Sequence, residues 1–166
     1  VLDSSIFADC FVAAGFALYS SVAKDIESWN FAKNLYVSIR RRIKQTTFNS
    51  LPYPLGAEYR MHSIPMIATN IACEMYRAAQ IMEADSAYKY RADINDFSSD
   101  ILTNFVDSNN VLHEIISKDN TCVSGLFGDH INPGHTMEDM WFQLDAADIL
   151  NDSQRLAKIG KIAENA

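Results

Sequence analysis

The run NPGHTMEDMWFQL, Asn132 to Leu144, holds the densest chemistry in this 166-residue chain. Asn132 and Pro133 form an N-cap and a first-turn residue, so a helix starts here and His135 falls in its first turn. Glu138 follows three residues on, which places both side chains on one face. The positive end of a helix dipole disfavours a second proton on an imidazole, so a ring there suits the role of general base. Glu138 can take the other ring N–H and set the tautomer. The plain alternative is a cap and a dipole partner with no chemistry attached. His62 is the second candidate, standing directly before Ser63 and Pro65, which mark another helix start. If alternate helices form an inner layer, His62, His135 and Glu138 meet at one cavity.

Other constellations are weaker. Asp129, His130, His135 and Glu138 contain metal-ligand types but lack the histidine pair at i and i+4 of a helical zinc site, so no metal is expected. No glycine-flanked serine and no phosphate-cradling glycine pattern occurs, which leaves serine-hydrolase and nucleotide chemistry unsupported and no cofactor expected. His113 reads as a solvated residue of a short strand. Trp141 reads as core, because it is turned away from the His135 face of its helix.

The elements that must carry these residues are helical almost throughout. Ile6, Phe7, Cys10, Phe11, Ala14 and Leu18 recur at helical spacing behind the capping residues Asp3 and Ser4. A second helix carries Ala32, Leu35, Tyr36, Ile39 and Ile43 and ends near Arg40, Arg41 and Arg42, where cations suit the dipole. The proline-containing segment TTFNSLPYPLGAEYR breaks the pattern. A third helix from Ser63 bears Ile67, Ile71, Met75 and Ala78, and a fourth after Asp85 and Ser86 bears Tyr90, Ile94, Phe97, Ile101 and Phe105. The β-branched VLHEIIS and the glycine-containing stretch after it predict a small hairpin or ordered loop. The fifth helix runs from Pro133 to about Leu150, and a sixth opens after Asp152 and Ser153. The first, third and fifth are apolar on most sides; the others are amphipathic. That alternation predicts an all-α fold of three consecutive helical hairpins in two layers, in a single domain covering residues 1–166.

Composition narrows the partners. The chain is 48% hydrophobic and 21% charged, that of a folded domain able to bury about 70% of its unfolded surface. Its net charge of −7, from 21 acidic and 14 basic residues, disfavours nucleic acid. No apolar run is read as approaching the ~20 residues of a membrane span. Cys10, Cys73 and Cys122 are scattered, odd in number and without a CxxC pair, which fits reduced thiols and a cytoplasmic location.

The block from Asn132 to Leu144 resembles the NPGHxxExxWFLL signature of the N-acylglucosamine 2-epimerase family. MHSIPMIATNIACEM, Met61 to Met75, resembles the inner helix that precedes it there, and a weaker similarity extends over most of the chain, including DSSIFADCFVAAGFALY from Asp3. The resemblance implies an (α/α)6 barrel, of which three hairpins are about half, and a cytoplasmic homodimer acting on a mono- or disaccharide without a cofactor. It implies that His135 is one of two catalytic acid/base histidines, that Glu138 supports the site, and that His62 contacts substrate, as in the cellobiose epimerases and aldose–ketose isomerases. Members of the family are about twice this length. Their second catalytic histidine and an enolate-stabilising arginine have no counterpart here, so the chain looks like the middle portion of such a barrel, inactive by itself. Two readings compete with an epimerase or isomerase. One is an (α/α)6 glycoside hydrolase with Asp9 and Glu138 as paired carboxylates; the other is a truncated, non-catalytic binding module.

Overall fold

The computed structural model describes residues 5–52 and 54–166. The expected caps Asp3 and Ser4 lie outside the described residues. In chain order the elements are α1 (Ile6–Ala23), α2 (Ile26–Gln45), β1 (Tyr59–Met61), α3 (Ser63–Met82), a 3-10 turn (Ala84–Ser86), α4 (Ala87–Asp100), a π-helical turn (Ile101–Phe105), β2 (Ile115–Ser117), α5 (Pro133–Leu150) and α6 (Ser153–Ala163). Each predicted helix is present. Side-chain caps start three of them: Asp25 accepts from the Ser28 N–H at 3.0 Å, Asn132 from that of His135 at 3.2 Å, and Asp152 from that of Arg155 at 3.0 Å.

The chain forms two compact units, and the division runs through α3 and α4 instead of falling at a linker. One unit holds the chain up to Pro54 together with Asn70–Ala92; the other holds Leu55–Thr69 and Asp93–Ala166. In the first, α1 packs along α2. The small residues Cys10, Ala13 and Ala17 of α1 are fully buried, as are Trp29, Ala32 and Ile39 of α2. The Tyr90 ring meets Trp29 and Tyr36 edge-on, with centroids 6.2 and 5.3 Å away. The Trp29 indole donates to Glu83 at 3.1 Å, and Lys33 reaches the same carboxylate oxygen at 2.8 Å. Asp9 is held by Arg42 at 2.6 Å.

Two expectations about apolar residues are corrected here. With Asp9 its sole charged residue, the 18-residue α1 is long and apolar enough, by length and composition, to cross a membrane, although no such run was expected. Its packing on α2 and the Asp9–Arg42 pair give it a partner within the chain. Nor is α1 buried on most sides: Phe11, Leu18, Tyr19 and Val22 are all more than half exposed, because the contact with α2 covers only its small-residue stripe.

In the second unit α5 packs on α6, and Met66, Ile101, Leu112, Met140, Ile159 and Ile162 share one core. Trp141 is 66% exposed, not core; the buried face of α5 passes through Asp139, Met140, Gln143 and Ala147. The predicted hairpin exists in a different form. A turn at Lys118–Asn120 brings Thr121 and Cys122 back along β2, through Ser117 N–H to Thr121 O at 2.9 Å and a bridge between Ile116 and Cys122. The other edge of β2 pairs antiparallel with β1, a strand that the proline-containing segment did not predict. Gly128, in the loop leading to α5, is required by close approach: a Cβ there would lie 1.5 Å from the Val123 carbonyl oxygen.

Candidate active site

The pairing of β1 with β2 sets the register of the site. Met61 faces Ile115, and one step further the His62 N–H donates to the Glu114 carbonyl at 2.9 Å. His62, at the threshold of α3, and Glu114, just before β2, are therefore neighbours although 52 residues apart. The N-terminus of α5 supplies the remaining members. His135 Nδ1 lies 3.0 Å from Glu114 Oε2, and Asp139 Oδ2 lies 3.0 Å from His62 Nε2. The other His62 nitrogen, Nδ1, is 3.9 Å from Glu114 Oε1, and neither atom has a hydrogen-bond partner among the described residues.

Burial is graded across this set. The side chains of His62 and Asp139 are fully buried, Glu114 is 10% exposed and His135 is 40% exposed. Polar contacts continue inward: Gln143 donates to Asp139 Oδ1 at 3.0 Å, Ser98 donates to Gln143 Oε1, and Arg155 donates to Ser98. Arg155 also reaches Asn95 at 3.1 Å and Ser99 at 3.2 Å. Only His135 has substantial exposure to solvent.

This geometry has a chemical reading. An ionised carboxylate only accepts, so a neutral His135 ring bonded to it would carry its proton on Nδ1 and leave the Nε2 lone pair open. A ring held at one nitrogen, bare at the other and open to solvent is the arrangement of a general base.

The sequence-derived candidates fare unequally. His135 and His62 both face Glu114, which lies between them. The carboxylate that holds the His135 ring is Glu114, not Glu138, which is exposed and makes no hydrogen bond among the described residues. Three-residue spacing puts two side chains on one helix face, but a ring that turns toward a strand finds its partner there. The ring of His62 has no exposed surface and directs both nitrogens at carboxylates, an environment unlike the substrate contact implied for it. His113 is not solvated: its ring joins the Gly128 carbonyl at 3.2 Å and Asp107 at 3.4 Å, tying two loops. No group of three or more metal-ligand side chains forms among the described residues. Asp9, one carboxylate of the hydrolase reading, is committed to Arg42. Sequence reasoning missed Glu114 and Asp139. Asp139 could have been found, since it lies one helical turn beyond His135; Glu114 carried no local signal.

No protein-family model matches the chain, and no curated protein matches it in sequence. Among solved structures, cellobiose 2-epimerase from Bacillus thermoamylovorans B4167 superposes over 96% of this chain with a TM-score of 0.73. The chain therefore shares the helical-hairpin fold of that part of the epimerase. Sequence identity over the match is 16%, so the likeness is one of fold. The chain spans 44% of the length of that structure, which accords with three helical hairpins as about half of an (α/α)6 toroid.

Proposed function

We propose that this chain is the His135-bearing part of a sugar epimerase or aldose–ketose isomerase of the N-acylglucosamine 2-epimerase type. The observation that carries the proposal is the His135–Glu114 pair at the start of α5: a part-exposed imidazole with its Nδ1 engaged and its Nε2 without a hydrogen-bond partner among the described residues. The epimerase fold supports it. In the reaction, a ring-opened sugar presents its carbonyl and the adjacent C–H. The Nε2 lone pair of His135 removes that proton, and the electron pair moves to the carbonyl oxygen as an enolate. A second base returns a proton. Return to the opposite face of the same carbon gives the 2-epimer; return to the neighbouring carbon gives the aldose–ketose isomer. Neither the second base nor the cation that steadies the enolate is assigned to these 166 residues, and the chain by itself is expected not to turn over. Glu138, exposed in the same first turns of α5, is assigned to the sugar-facing side of the site.

The companion proposals are a homodimer and a cytoplasmic setting. Exposed Phe11, Leu18, Tyr19 and Val22 support self-association, and the wide spacing of Cys10, Cys73 and Cys122, with no CxxC pair, supports a reducing compartment.

Proton NMR of cellobiose, mannose and N-acetylglucosamine in D2O tests the reaction, using the full product of the gene. Deuterium is expected to enter at C2 of at least one sugar, and His135→Ala should lower the rate by at least 10²-fold. Exchange that survives His135→Ala would remove this residue from the mechanism. Cleavage of a glycan without exchange would favour the hydrolase reading.

A further inference from the structure

We propose that His62 is a positioning residue which, with Asp139 behind it, holds Glu114 so that Glu114 fixes the His135 ring; His62 itself does not touch the sugar. This rests on the reading of His135 as the base and deepens it.

Three observations carry the proposal. First, His62 is fully buried, and a substrate has no surface of it to meet. Second, its ring is clamped at Nε2 by Asp139, also fully buried, whose other oxygen is held by Gln143. Gln143 is anchored through Ser98 to Arg155 of α6. The clamp therefore reaches from α5 to α4 and α6 through buried side chains. Third, His62 Nδ1 and Glu114 Oε1 are both buried with no hydrogen-bond partner among the described residues, and they lie 3.9 Å apart. Buried polar atoms are nearly always paired, and an approach of about 1 Å with one proton shared between them makes these two each other's partner. Glu114 then has one oxygen on His62 and the other on His135, and its freedom to rotate is lost. Each end of this set comes from a different element, α5 on one side and the β1–β2 edge on the other, so the orientation of the base is built into the fold.

The experiment needs no sugar. Nitrogen-15 NMR of the histidine-labelled protein reads which ring nitrogen of His135 carries the proton. In the unaltered chain His135 should be held as the Nδ1–H form. His62→Ala, with the fold checked by circular dichroism, should release it to a mixture of the two tautomers. Should His62→Ala not fold, Asp139→Asn, which keeps the side-chain shape, takes its place with the same expected change. An unchanged His135 tautomer in a folded variant would overturn the proposal. In the full gene product, where turnover is measured, His62→Ala should lower kcat by about 10²-fold with KM little changed. A raised KM with kcat and the tautomer unmoved would make His62 a substrate contact and overturn the positioning role. A failure to find any sugar turnover would strike the proposed function, while the tautomer result stands separately.

Discussion

At the scale of single residues, environment separates groups of the same type. Burial, with Asp9 close by, pushes the Cys10 thiol up to about 12, because a thiolate there would lose its hydration beside a carboxylate. Cys73 is buried and Cys122 exposed. Iodoacetamide at pH 8 should therefore modify Cys122 alone in the native chain and all three cysteines after denaturation, as read by intact mass. Glu83 shows the opposite shift. Hydrogen bonds from the Lys33 ammonium and then the Trp29 indole hold its carboxyl below its ordinary range. A carboxylate depressed in the folded state contributes stability above its unfolded value, and that contribution is lost as pH falls through the lowered native value. Glu83 is part-exposed, so the pair is worth no more than about 1 kcal/mol. Denaturant unfolding followed by Trp fluorescence should show stability falling as acid is added below about pH 5. Glu83→Gln, which keeps an acceptor for the indole, should flatten part of that fall. An identical acid profile in the variant would contradict the assignment.

At the scale of elements, caps do more than end helices. Asn132 accepts the backbone N–H of His135, so one side chain both starts α5 and sets where its first turn lies. Asn132→Ala should cost about 1 kcal/mol of stability, measured by denaturant midpoint, and should lower any His135-dependent exchange as well. A stability loss with activity untouched would separate the cap from the site. The helix starts at Asn132 and Asp152 were legible in sequence because capping is local: the polar side chain bonds a backbone group three positions away. The β1–β2 ladder was not legible. Its strands are three residues each and more than 50 residues apart in sequence, so no periodicity could announce their pairing. Trp141 failed for a related reason, because apolar character predicts burial only when another element is present to cover that face.

At the scale of the whole molecule, the apolar face of α1 sets an expectation. Phe11 and Tyr19, an approximate two turns apart, stand exposed with Leu18 and Val22 beside them. Sedimentation over a range of concentrations should show self-association, and Phe11→Asp should weaken it, since a charge on a contact face is costly to bury. A concentration-independent monomer would remove the homodimer proposal for this chain. The epimerase that shares this fold is more than twice as long.

The sequence by itself determined the helices, their caps and order, the all-α class, and His135 with His62 as residues of interest. Those features depend on interactions within a few positions of one another or on the periodicity of apolar side chains. Tertiary structure alone decided which carboxylate holds the His135 ring. Glu138 was the neighbour in sequence, while Glu114 arrives from 21 residues upstream, carried into place by a strand pairing. It also decided that His62 is walled in by Asp139 and Glu114. A hydrogen bond between distant residues is written in the register of the elements that carry them, and that register is settled only when the core has packed.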